Sequence, residues 1–407
     1  MSSIVRDRSG KSYLVPFILV TSLFFLWGFA HSILDVLNKH FQDVLVISKA
    51  RSGLVQATVY GGYFLMAIPA GRIIRRWGYR SGIVLGLLLY GIGALMFIPG
   101  GKIMSFPFFL ASLFVIGCGL TCLETSANPY VTVLGDSDSA VRRLNLAQSF
   151  NGLGWIAGPL VGGLLILGPD SNISLPYAMI GAVVLVLGLV FSRLPLPSID
   201  NGTACDGGQA SSDGQTASIW KMKTFRYGVP ALFLYVAAQT GINSFFINYV
   251  TEANASIDPQ TAALMLSFGG MGLFMAGRLL GTVLMGRISP RTMMSVCAAG
   301  AVLCMCLTIF CDGACGTAAL CVTYLFESVM FPTIFSMALA DIRGEGTKTA
   351  SSYLIMSIVG GAVAPVLMGL IGESDMAAGF VVPLICFIFI AAYSFTYRRH
   401  TIWKDLH

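Results

Sequence analysis

Charge is scarce in this chain. Asp, Glu, Lys and Arg make up 11% of its 407 residues and hydrophobic types 56%, whereas soluble domains carry about 25% charge. So little polar surface excludes a water-soluble fold and points to a bilayer. Metal chemistry also lacks its signature. The ten cysteines form no Cys-x-x-Cys pair and no Cys/His ligand spacing, and most lie in apolar runs, where a free thiol is an ordinary small buried side chain. No metal and no cofactor are expected. The chain has no Gly-x-Gly-Asp element of an intramembrane aspartyl protease, which argues against an enzyme. It also has no signalling module, which argues against a non-transporting sensor.

Apolar length is abundant. Crossing about 30 Å of hydrocarbon takes roughly 20 apolar residues, and twelve such runs are read at 13–37, 52–75, 81–100, 106–134, 143–168, 174–193, 225–250, 260–286, 292–311, 314–340, 348–371 and 377–397. The first is long and has no small-residue cleavage site after a short core, so it reads as a retained span rather than a signal peptide. Basic residues set the orientation. With both termini cytoplasmic, twenty of the 25 Lys and Arg fall inside, Lys39, Lys49, Arg51 and Lys102 fall outside, and Arg278 lies within a span. The positive-inside rule favours this topology and accounts for the net charge of +6 without a nucleic-acid partner.

The chain divides in two. Residues 195–223 hold the long polar segment, rich in Gly, Ser and Asp, which cannot bury enough apolar area to order itself. It reads as a flexible cytoplasmic linker between an N-terminal six-helix bundle, 1–194, and a C-terminal one, 224–407. Landmarks recur in the same order in both halves. Gly71-Arg72-Ile73 matches Gly286-Arg287-Ile288, Gly158-Pro159 matches Ala364-Pro365, and Glu124 and Glu327 each precede a proline, Pro129 and Pro332, by five residues. Parallel repeats of this kind place substrate sites near the midplane at the repeat interface.

Polar groups at membrane depth are costly, so their default reading is functional. Trp27, His31 and Asp35 are spaced four apart and share one helix face; a solvated helix end is the competing reading for Asp35, and helix packing for Trp27. Glu124 has Asn128 one turn further on. Desolvation disfavours a charged carboxylate, so Glu124 is expected neutral in one state of a cycle and ionised in another, as a proton carrier requires. The structural alternative is a neutral Glu124 bonded to a carbonyl freed by Pro129. Gln148 and Asn151, and Gln239 and Asn243, add amides that match sugar hydroxyls or bond helix to helix. Arg278 is a gating candidate that pairs with a carboxylate or carbonyl, or snorkels.

At these residues the chain resembles the major facilitator superfamily, and within it the fucose–galactose–glucose proton symporter family. The resembling stretches are Cys122-Leu123-Glu124-Thr125-Ser126-Ala127-Asn128-Pro129, Asn145 to Asn151, Phe331-Pro332-Thr333-Ile334-Phe335-Ser336, and Ser351-Ser352-Tyr353 followed by Gly360-Gly361. The resemblance implies an all-α integral membrane fold of twelve helices in two six-helix bundles that alternates between outward and inward openings. It also implies a key acidic pair, whose motif positions match Asp35 and Glu124. Two departures stand out. Arg75 replaces the acidic residue of the superfamily's loop after span two, and Glu327 stands where the family tends to carry Asn.

The expectation is a multi-pass protein of the cell's inner membrane, a monomer, that imports a monosaccharide with H⁺ as coupling ion. Asp35, Glu124 and Glu327 are the proton-coupling candidates. Trp27, His31, Asp35, Glu124, Asn128, Gln148, Asn151, Gln239, Asn243 and Glu327 are the substrate-binding candidates. The alternative is a sugar facilitator, or a proton-driven exporter of a polar or amino-bearing small molecule. Glu327 is compatible with an amine ligand, a second proton site or a protonated amide mimic.

Overall fold

The computed structural model describes residues 5, 12–135, 140–168, 173–194, 219–284, 288–311, 313–339, 342, 350 and 353–404. Most of the expected linker, 195–218, and the motif residues Arg287, Ser351 and Ser352 lie outside the described residues. The long elements among those described are all helices. Ten of them are long and apolar enough to cross a membrane, from Leu14–Leu45 to Met376–Phe395. Two further expected spans, 52–75 and 143–168, are also helical, within Leu54–Leu95 and Ala140–Leu165, but do not count among the ten. They carry Gln56, Tyr60 and Tyr63, and Arg143, Asn145, Gln148 and Asn151, a polar load that lowers their hydropathy. The Leu54–Leu95 helix breaks at Gly78, whose φ of 78° and ψ of 171° suit a residue without a Cβ; this break separates the spans expected at 52–75 and 81–100.

The chain forms two units, one of residues 1–46 and 58–204, the other of residues 47–57 and 205–407. In the first, the Leu14–Leu45 and Ala140–Leu165 helices run in close contact. A Cβ on Gly154 would lie 2.3 Å from the Phe25 carbonyl oxygen, so glycine is what permits the approach, as small residues commonly do between helices in lipid. Two bonds tie the seam: the Ser32 hydroxyl donates to the Gly154 carbonyl at 3.2 Å, and Asn151 Nδ2 donates to the Phe24 carbonyl at 3.1 Å. Arg143, fully buried, donates Nε to the Val131 carbonyl at 3.1 Å. Val131 lies in the last turn of the Phe106–Val133 helix, where carbonyls lack partners and cations are favoured.

In the second unit the Lys223–Ala253 helix packs against Gly313–Glu327, Met330–Leu339, Gly360–Ile371 and Val381–Lys404. The span that carries Glu327 is discontinuous, ending at Glu327 and resuming at Met330. Pro332 has no N–H for the carbonyl four residues back, which belongs to Ser328. Arg278 Nε reaches that carbonyl at 3.4 Å. Residues 47–57 join this unit through a dense contact. Lys49 Nζ meets Glu252 Oε1 at 2.7 Å and donates to the Gly372 carbonyl at 2.7 Å, and the Ser48 hydroxyl caps the short Lys49–Ser52 helix. A Cβ on Gly369 would meet the Lys49 carbonyl oxygen at 2.5 Å.

Candidate functional site

The polar residues of the first unit gather around the middle of the Leu14–Leu45 helix. His31 is buried, with 7% exposure, inside an aromatic box. Trp155 stacks on it at 5.9 Å with planes 16° apart, and Tyr60, Tyr63 and Trp27 lie 5.9, 5.4 and 6.3 Å away. Three helices contribute to the box, and a four-residue spacing puts Trp27 and His31 on the same face of one of them. His31 Nε2 lies 2.9 Å from the Tyr63 hydroxyl, and the Glu124 side chain lies near the same phenol.

A single phenol carries one proton and accepts through its lone pairs. Toward an ionised carboxylate such a phenol would donate, leaving its oxygen to accept from the His31 Nε2–H; toward a protonated carboxyl it would accept, and donate instead to an unprotonated Nε2.

Glu124 and Asn128 open onto a small cavity with Leu23, Phe24, Trp27, Leu123 and Ala127. Its volume is about 10 Å³, near the least that holds one water. A monosaccharide enters only if this lining moves. Asn128 Oδ1 accepts from Gln148 Nε2 at 3.3 Å, so these two amides are paired with each other in this conformation. Asn151 holds the helix seam through Phe24. Asp35 is 1% exposed and lies two turns beyond Trp27 on the same face; it is not part of this cavity's lining.

The second unit holds the other sequence candidates. Glu327 has 0% exposure, and neither of its carboxylate oxygens has a hydrogen-bond partner. Asn243 is 3% exposed with its Oδ1 unpartnered, and Gln239 is half-buried one turn earlier. Arg278 lies 4.7 Å from the Phe274 ring and spends Nε on the Ser328 carbonyl, the carbonyl option of the sequence reading. Sequence reasoning passed over Tyr60, Tyr63 and Trp155. The signal was present in Tyr60-Gly61-Gly62-Tyr63, two phenols at membrane depth three residues apart, which place both hydroxyls toward one side of a helix.

A model of the Major Facilitator Superfamily matches residues 16–365. The L-fucose-proton symporter of Escherichia coli (strain K12) is 35% identical, with 94% of this chain and 93% of that one covered. A glucose/galactose transporter of Brucella abortus is 33% identical over 95% of both. The crystal structure of the symporter FucP in its outward conformation superposes with a TM-score of 0.69 at 35% identity, covering 95% of this chain and 99% of that one. An inward-facing bacterial homologue of the lysosomal transporter Spinster gives a TM-score of 0.77 at 15% identity, covering 95% of this chain and 96% of that one, a likeness of fold alone. With ten apolar helices of spanning length, the chain is a multi-pass membrane protein of the Major Facilitator Superfamily, in the family of the L-fucose-proton symporters and bacterial glucose/galactose transporters.

Proposed function

We propose that this chain imports a monosaccharide together with a proton across the bacterial inner membrane, as a monomer of twelve spans with both termini and the 195–223 linker in the cytoplasm. The relatives' activities support the cargo and the coupling ion. The observation that carries the coupling role is Glu124 lining a cavity of about one water's volume near the Tyr63 hydroxyl that meets His31 at 2.9 Å; in this reading the three form a short proton relay. An ionised carboxylate in so dry a place costs several kcal/mol unless charge-compensated, and a proton removes that cost. Loading a proton on Glu124 therefore favours the state in which the site is closed from both sides, and releasing it on the alkaline side resets the relay.

Asp35 stands in this reading as the outer acid of the pair, handing protons or sugar hydroxyls toward the His31 box. Trp27 offers a flat face for the sugar's C–H surface, and the Asn128–Gln148 pair opens to give its amides to hydroxyls. Asn151, Gln239 and Asn243 are the further amide candidates, Glu327 is a third acid in the second unit, and Arg278 steadies the broken span as a gating element. A facilitator or an exporter is the alternative. Gradient-driven uptake into proteoliposomes separates them: wild type concentrates fucose, glucose or galactose when the outside is acidic, whereas Glu124→Gln loses accumulation but keeps counterflow. Accumulation by Glu124→Gln removes the assigned coupling role.

A further inference from the structure

The second unit holds a group that the relay does not use. Glu327 is sealed from solvent with both carboxylate oxygens unpartnered, although buried polar groups in folded proteins almost always find partners. Its position against the Lys223–Ala253 helix is fixed from two sides. The Tyr235 hydroxyl donates to the Glu327 backbone carbonyl at 3.0 Å, and one turn before Glu327 the Tyr324 ring meets Phe246 edge-on at 6.0 Å. Residues 235, 239, 243 and 246 follow helical spacing and share one face. Asn243 therefore lies on the face that carries both contacts, and its Oδ1 is buried and unpartnered as well.

The Asn243 Oδ1 and, when ionised, both Glu327 oxygens are acceptors. The nearby cation, Arg278, gives its Nε to the Ser328 carbonyl and lies over the Phe274 ring. Tyr235 commits its hydroxyl to a backbone oxygen. The region thus has three idle acceptor oxygens, and an ionised Glu327 in so dry a place needs a compensating positive charge; a ligand that completes both brings charge and several N–H donors at once. A neutral sugar brings several hydroxyl donors but no charge, so it meets these oxygens only after a proton has neutralised Glu327. A proton alone cancels the charge but leaves the second carboxyl oxygen and the Asn243 oxygen unmet. A primary ammonium brings the charge and three donors, and charge-assisted bonds of this kind are the strong ones.

We propose that Glu327 and Asn243 form an ammonium subsite, and that the preferred cargo is a monosaccharide bearing a free amino group, such as a 2-amino-2-deoxyhexose. This rests on the sugar-import reading and narrows its substrate class. The test is binding and uptake by the purified full-length protein with three probes: glucosamine, glucose and N-acetylglucosamine, the last with its nitrogen blocked and uncharged. One charge-assisted contact predicts that wild type prefers glucosamine over both others by about tenfold or more. Glu327→Gln brings the glucosamine-to-glucose ratio to about one, Glu327→Asp retains a preference, and Asn243→Ala reduces it.

Equal affinity for glucosamine and glucose in wild type overturns the subsite, as does an undiminished ratio in Glu327→Gln. Proton-coupled uptake of the neutral hexose with no amine preference sinks this inference alone. Transport of none of the fucose, glucose, galactose or amino-sugar probes sinks the import reading beneath it.

Discussion

Tyr63→Phe removes one oxygen and leaves the ring in the aromatic box. That oxygen is 2.9 Å from His31 Nε2 and, in the proposed relay, also bonds Glu124, so its loss strands the imidazole nitrogen and breaks the relay. A hydrogen bond to a charged group contributes about 1.5–3 kcal/mol, which corresponds to roughly 10- to 150-fold in a rate limited by proton movement. Gradient-driven sugar accumulation in proteoliposomes is expected to fall by that factor. Sugar–sugar counterflow, in which the carrier returns loaded and no net proton crosses, should fall by much less. The difference between the two assays is the diagnostic. If Tyr63→Phe accumulates sugar at the wild-type rate, or if counterflow falls as steeply as accumulation, the relay is wrong.

Three further outcomes follow from the packing. Arg278→Ala leaves the Ser328 carbonyl without its donor and should lower stability in detergent by about 1–3 kcal/mol, while adding Pro332→Ala restores an N–H four residues on and should recover part of that loss in a thermal melt. Gly154→Leu drives a side chain into the Phe25 carbonyl; it is expected to cost more than the 1–3 kcal/mol typical of overpacking and to abolish monodisperse purified protein. Asp258 caps the Pro259–Leu264 helix through the Gln260 and Thr261 amides, and the Thr261 hydroxyl, 2.6 Å away, holds its carboxyl below the usual aspartate range. With the folded value depressed, the cap's electrostatic contribution is full above the unfolded Asp range and fades as pH falls through the lower folded value. Melting curves at falling pH should show this acid-side loss, absent in Asp258→Asn.

How much of this was legible beforehand depended on whether a residue's partner lay close in sequence or far away. Length and hydropathy are local, so the helical class and most spans could be read directly, and the two acids were visible because a lone carboxyl in an apolar run is conspicuous. The Trp27–His31 pair followed from helical spacing alone. Tyr63 was not visible as a candidate, because a tyrosine in a span is ordinary until His31, 32 positions away, is brought to its hydroxyl. The duty of Asn151 depended on the Phe24 carbonyl, 127 positions distant. Likewise the placing of residues 47–57 with the second unit rests on Lys49 finding Glu252 and Gly372, a pairing no periodicity encodes. For Arg278 a carboxylate, a carbonyl and snorkelling were all open readings, and Pro332 explains which carbonyl its Nε reaches.

The central claim is that sugar and proton cross together through Glu124. It is tested most directly by loading proteoliposomes with a pH-sensitive dye and adding sugar outside with no imposed gradient. Wild type should acidify the lumen when fucose, glucose or an amino sugar is added, and Glu124→Gln should give no signal under the same conditions. Sugar entry without any acidification in wild type, or an undiminished signal in Glu124→Gln, contradicts the account.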